Sequence, residues 1–196
     1  DVYAEELLCL ALARKQNVPV RWVEERSENA HATIHGRGQI QHVELAADKE
    51  GKLTAVRFRI IADMGAYLQL VTPGVPILGA FLYAGVYDIP LAYDFSCDGI
   101  FTTLTPTDAY RGAGRPEANL TIERVIDAAA RQLGIDAAEL RLRNVIKTFP
   151  YPLLSGHEVD CGDFARVIAA AKDRADVAGF AARRQQSAEK GLLRGI

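Results

Sequence analysis

Residues 107–119 read TDAYRGAGRPEAN. Two isolated glycines and two arginines precede a proline, and an apolar helical stripe follows at once. Pro116 suits a first helical turn, where its missing N–H is no loss, and Glu117 beside it favours the helix dipole. Gly112 and Gly114 let the main chain bend sharply and leave its N–H groups uncovered by side chains. Residues 111–115 are therefore expected to form a donor-rich bend beside a helix N-terminus, suited to an anion or an electron-rich oxygen. A tight turn carrying two surface arginines fits the same residues. The run lacks the Lys-Ser/Thr of a phosphate loop. It also lacks the third glycine and the acidic residue of a dinucleotide fingerprint.

Downstream, Ile122, Val125, Ile126, Ala129, Ala130 and Leu133 make one helical stripe that Gly134 ends. Asp136 is expected to cap a second helix through Asn144, and further helices are expected at 163–175 and about 177–190. Upstream, residues 38–47 and 53–62 read as a hairpin around DKEGK, with Val56, Phe58 and Ile60 on one face and Arg57 and Arg59 on the other. Residues 93–103 return to strand. The stretch 62–90 loses all period and is punctuated by Gly65, Pro73, Gly74, Pro76, Gly79 and Gly85, which marks a functional connection. At the start, Asp1 is an expected N-cap for a helix bearing Ala4, Leu7, Leu8, Ala11 and Leu12. VPVRWVE at 18–24 reads as a strand with Trp22 in the core, and Glu24, Glu25 and Arg26 as its solvated end. Strands then helices, without βαβ alternation, predict an α+β fold: a hairpin-rich mixed sheet with packed helices.

The 196 residues are 49% hydrophobic and 24% charged, with a net charge of −2. That is ordinary globular composition, with no general pull toward nucleic acid. No apolar run is long enough to span a bilayer; the segment 64–86 holds four glycines and two prolines. Cys9, Cys97 and Cys161 match no zinc or redox spacing and read as reduced, mostly buried thiols of a cytoplasmic protein. His31, His35 and His42 read as surface or satisfied histidines rather than ligands, and Asp63 and Asp94 as turn and strand-edge residues. The abrupt helical start and the apolar LLRGI at the end suggest an internal fragment of a longer polypeptide.

TDAYRGAGRPEAN resembles the signature loop of the molybdenum hydroxylase large subunit, the family of xanthine dehydrogenase, aldehyde oxidase and aerobic carbon monoxide dehydrogenase. DVYAEE resembles the segment after that family's GGGFG cofactor loop, and VPVRWVEERSEN its strand and turn. ADMGAY, YDIP, LRLRN and LLRGI fall at the expected places, so the resemblance covers essentially the whole chain. It implies a partial molybdopterin-binding domain at 1–150 and, at 151–196, a helical segment leading into the next subdomain. It further implies an oxidoreductase that oxidises a C–H or aldehyde carbon with water as oxygen source and passes electrons to Fe–S clusters and flavin.

The resemblance makes Arg111 and Gly112 cofactor-binding residues, Arg111 through its main-chain amide near molybdenum. Tyr110, Ala113, Gly114, Ile77 and Leu78 fall on the substrate side. No catalytic residue is expected in the chain itself, because the general-base glutamate belongs beyond Ile196. Gly112 stands where the copper-dependent carbon monoxide enzymes carry cysteine, which argues against carbon monoxide as substrate. Ala113 stands where purine and aldehyde hydroxylases carry a stacking aromatic. Ile77 and Leu78 replace a carboxylate and an arginine that orient purines. A small aldehyde, an N-heterocycle or another apolar C–H substrate fits these changes. The expected cofactor is molybdenum–molybdopterin in the cytosine dinucleotide form. Expected partners are the remainder of the large subunit, an Fe–S small subunit and an FAD medium subunit, in a dimer of heterotrimers, with no nucleic acid and no membrane span. The alternative is a non-catalytic α+β binding or scaffold domain in which the loop is only a turn.

Overall fold

A computed structural model describes residues 3–195. In chain order the elements are α1 (Ala4–Gln16), α2 (Arg26–Ala32), β1 (Gln39–Ala47), β2 (Leu53–Gly65), α3 (Gly74–Ala80), β3 (Ala92–Phe101), α4 (Arg115–Leu133), α5 (Ala137–Asn144), β4 (Tyr151–Pro152), β5 (Glu158–Val159), α6 (Phe164–Arg174) and α7 (Phe180–Ala188). β1, β2 and β3 form one sheet in that order, and β4 pairs with β5 in a second. This is an α+β fold, as the sequence predicts.

The chain divides into two compact units: residues 1–43, 58–83 and 94–121, and residues 44–57, 84–93 and 122–196. In the first unit Phe58, Ile60, Ala62 and Met64 of β2 are buried, while Arg59 between them is exposed, which is the alternation expected of a half-buried strand. The Tyr83 ring lies 4.6 Å from that of Phe58 and 5.8 Å from that of Phe95. In the second unit Ile122, Ile126 and Ala130 of α4 are buried with Leu140, Val145 and Ile146. Asp136 caps α5 by accepting from the Glu139 N–H, and Asp163 caps α6 by accepting from the Arg166 N–H. Gly134 ends α4 at φ +68°, with Ile135 N–H donating to Ala130 O at 3.0 Å.

Several expectations need correction. Residues 18–24 belong to no strand, and Trp22 is 49% exposed. A β-branched run fits a pleated, half-buried surface, yet it becomes a strand only where a ladder partner exists. Glu24, Glu25 and Arg26 are not a strand end: Glu25 is the N-cap of α2 and forms a capping box with Glu28. The α2 helix is polar all round, so it has no hydrophobic period to betray it. α3 forms inside the stretch that had no period, with Val75, Pro76 and Gly79 buried. The Asp1 cap lies outside the described residues; the described N-cap of α1 is Tyr3. α1 has no buried residue, and its Leu7, Leu8 and Leu12 are exposed. The thiols are not buried: Cys9 and Cys97 are half-buried and Cys161 is exposed.

Candidate functional site

The loop at 107–114 is held at its entrance by main-chain pairing. His35 N–H donates to Pro106 O, and Asp108 N–H donates to His35 O. Thr107 Oγ1 donates to the Asp63 carbonyl at 2.7 Å. Gly65 passes so close that a Cβ there would lie 2.3 Å from Pro106 Cα, and its φ of +71° suits glycine in any case. Asp108 is 1% exposed, and its Oδ1 accepts from the N–H groups of Val71 and Ala109. One carboxylate thus ties the loop to the segment before α3.

The bend itself divides into an open half and a packed half. Gly112 is exposed at φ +94°. Gly114 is buried at φ +84°, and a Cβ there would come within 3.0 Å of Gly79 N and Val75 O in α3. Its lack of a side chain serves close packing on α3, not ligand approach. The N–H of Ala113 donates to Tyr110 O and that of Arg115 to Gly112 O. Among the described residues the N–H groups of Arg111 and Gly112 find no acceptor. The Gly114 N–H also lacks an acceptor there but belongs to a buried residue, so the unpaired donors on exposed residues of the bend are those of Arg111 and Gly112.

Tyr110 is 63% exposed, and Ile77 and Leu78 of α3 are 53% and 46% exposed. Tyr110 and Arg111 line a cleft of about 500 Å³ with Tyr3, Trp22, Ile34 and Ala109. Glu5, Glu6 and Glu24 line it too, so carboxylates outnumber the one lining cation, Arg111, which disfavours a phosphate there. Gly112, Ala113, Gly114, Ile77 and Leu78 are not among its lining residues. α3, which carries Ile77 and Leu78, meets the bend at Gly114 instead.

Three side chains at the loop escape the sequence reading. Arg37 donates from Nη2 to Arg111 O at 2.8 Å and lies over the Tyr110 ring at 4.9 Å. Its Nε is 3.9 Å from Glu117 Oε1. Asp108 and Glu117 are both buried, and among the described residues Asp108 Oδ2 and Glu117 Oε2 have no hydrogen-bond partner. Arg37 stands between two glycines in HGRG, which was the available signal; Glu117 reads from sequence only as a dipole residue. Elsewhere His31 Nδ1 is 2.6 Å from Ser27 O and His35 Nε2 is 2.9 Å from Ala30 O, and no cluster of His, Cys, Asp or Glu among the described residues could hold a metal.

Residues 1–145 match the family model of the molybdopterin cofactor-binding domain. The chain belongs to that family. It is 33% identical to the nicotine 6-hydroxylase large subunit of Paenarthrobacter nicotinovorans, over 100% of this chain and 24% of the relative. It is 38% identical to the carbon monoxide dehydrogenase large chain of Afipia carboxidovorans, over 80% of this chain and 20% of the relative. The structure of quinoline 2-oxidoreductase from Pseudomonas putida 86 superposes with a TM-score of 0.83 at 34% identity, covering 95% of this chain and 24% of that one. The chain thus spans about a quarter of these relatives. Among the described residues no helix is long and apolar enough to cross a membrane.

The residues present fit the cofactor. A cofactor rich in oxygen and sulfur needs uncovered donors at a place its bulk can approach, and the exposed Arg111–Gly112 pair supplies two. The orphaned oxygens of Asp108 and Glu117 are buried acceptors, costly to leave unmet. They suit donors supplied from outside the described residues.

Proposed function

We propose that this chain forms part of the molybdenum wall in the large subunit of a hydroxylase that oxidises an electron-poor ring carbon or an aldehyde carbon. The exposed main-chain donors at Arg111 and Gly112 carry the reading. They would hold the cofactor. Molybdenum–molybdopterin, when bound, supplies two-electron oxidation with water as the oxygen source. The chain's residues bind and orient around it. Arg111 and Gly112 aim N–H donors that need no reorganisation during the reaction. Gly114 lets α3 pack against the bend, so that Ile77 and Leu78 offer an apolar, uncharged wall on the substrate side with Ala113 and Tyr110.

That wall favours an apolar N-heterocycle or small aldehyde over a purine, which needs charged partners. Two relatives are named for nicotine and quinoline, both N-heterocycles, which supports the same class. Gly112 offers no thiol, so a copper-bridged centre is not expected. We assign residues 1–150 to the cofactor-binding domain and 151–196 to a segment leading onward. The general-base glutamate, the Fe–S and FAD subunits, the cytosine dinucleotide form, the dimer of heterotrimers and the cytoplasmic setting belong to the same proposal. Metal analysis and substrate turnover of the intact complex test it. One molybdenum per large subunit, no copper, and turnover of an N-heterocycle or aldehyde are expected. A molybdenum-free complex would overturn it.

A further inference from the structure

Arg37 lies more than seventy residues from the bend in sequence, yet its guanidinium touches three consecutive features of the loop. Nη2 donates to the Arg111 carbonyl at 2.8 Å, the group covers the Tyr110 ring at 4.9 Å, and Nε approaches buried Glu117 at the start of α4 at 3.9 Å. The fork geometry of Arg allows all three at once; Lys, a point charge, could meet only one well. The main chain at Arg37 is itself held at φ +69°, with glycine on either side. A Cβ at Gly36 would approach Tyr110 Cβ at 3.1 Å. The HGRG turn is therefore shaped to deliver this one side chain onto the loop.

The Arg111 carbonyl and the Gly112 N–H belong to the same peptide group. That group is planar and trans, so its C=O and N–H point in opposite directions. Clamping the carbonyl toward Arg37 aims the Gly112 N–H away from it. We infer that Arg37 is a positioning residue: by clasping the Arg111 carbonyl it sets the direction of the Gly112 donor toward the cofactor. Without the clasp, this exposed peptide next to a glycine is free to rotate, because Gly112 accepts many φ values. The inference rests on the cofactor reading above.

The test uses the intact holoenzyme with Arg37→Met, which keeps an apolar stem and removes every donor, and Arg37→Lys. The readouts are molybdenum content, the Mo(V) electron paramagnetic resonance spectrum and the separation of kcat from KM. Arg37→Met should retain molybdenum but shift the Mo(V) spectrum and lower kcat roughly tenfold or more, with KM changed far less. Arg37→Lys should fall between it and the wild type. A wild-type spectrum and kcat in Arg37→Met would overturn the clasp. Should Arg37→Met fail to assemble, Arg37→Lys decides on the same spectrum: altered supports the clasp, unaltered overturns it. If neither variant assembles, Arg37 is a folding residue and the positioning role falls. A wild-type complex without molybdenum refutes instead the cofactor reading, which separates the two failures.

Discussion

The two units treat buried polar groups in opposite ways. In the second, Asn144 is fully buried and every polar atom of its side chain is used: Oδ1 accepts from Leu53 N–H, and Nδ2 donates to the carbonyls of Gly51 and Leu140 at 2.8 Å each. Arg141 there joins Glu123 and Asp127, and Glu123 also accepts from the Tyr87 hydroxyl. Burial, then the Glu123 hydrogen bond, pushes the Tyr87 hydroxyl well above the ordinary tyrosine range. Among the described residues of the first unit, Asp108 and Glu117 each keep one carboxylate oxygen without a partner, and the N–H groups of exposed Arg111 and Gly112 have no acceptor. A satisfied network specifies a fold and is complete as it stands. An unsatisfied one is costly unless something else meets it, and such places are where function concentrates.

The largest test of that contrast is Asn144→Leu. It removes three buried hydrogen bonds and strands the Leu53 N–H and the Gly51 carbonyl, at a cost of about 3 kcal/mol or more. Denaturant unfolding of the intact subunit should show a lower midpoint. A loss under about 1 kcal/mol would mean that the network is ornamental. Next comes a pair that separates the halves of the bend. Gly114→Ala and Gly112→Ala share the cost of a positive φ, about 1–2 kcal/mol. Only Gly114→Ala also drives a Cβ against the main chain of α3. Thermal unfolding should therefore fall further for Gly114→Ala, whereas Gly112→Ala should lose turnover out of proportion to stability. Equal effects on both measurements would erase the distinction between an open and a packed glycine.

A smaller effect sharpens the same contrast. Asp108→Asn keeps Oδ1 as acceptor for Val71 and Ala109 but puts an NH2 donor where Oδ2 now lies unpartnered. In the intact subunit this should cost about 1 kcal/mol, because a donor would then oppose a donor. Wild-type stability would mean that Oδ2 faces an acceptor, and the idea of a waiting donor would fail.

What could be read from the residues follows from how local each signal is. α4, α5 and α6 carry their own stripes and caps within a few residues, and the β1–β2 hairpin carries its turn and its alternation. The bend at Gly112 was legible because positive φ is a local demand. The β-branched run at 18–24 misleads because strand formation depends on a partner that no local pattern reports. α2 was missed because its support is a capping box between Glu25 and Glu28, not an apolar face. Gly114 was read as half of a donor surface because only the fold reveals α3 on its other side. For Arg37 the only local signal is its place between two glycines in HGRG, and its partners at the bend lie far along the chain.

The mildest test uses pH on the satisfied side. Asp88 accepts from the Tyr151 hydroxyl and pairs with Lys52 Nζ at 3.1 Å. Burial works to raise its pKa, but the Tyr151 hydrogen bond and the Lys52 hydrogen bond and charge together pull it below the ordinary carboxylate value. Tyr151 moves the other way: burial first, then Asp88, pushes its hydroxyl up to about 12. A carboxyl whose folded pKa is depressed stabilises the fold above its unfolded pKa, near 3.8, and loses that contribution as pH falls through the folded value. Asp88→Asn should therefore flatten the acid limb of the stability curve below about pH 4 and cost only about 0.5 kcal/mol at neutral pH, since Lys52 and Asp88 both reach solvent. The Tyr151 contribution has the opposite window: it is present below the unfolded tyrosine pKa and is lost as pH rises toward 12. Tyr151→Phe should remove that alkaline loss and, by taking away one of the groups that depress Asp88, also shrink the acid one. An acid limb in Tyr151→Phe as steep as in the wild type would show that Lys52 alone holds Asp88 down, and that this network is looser than its geometry implies.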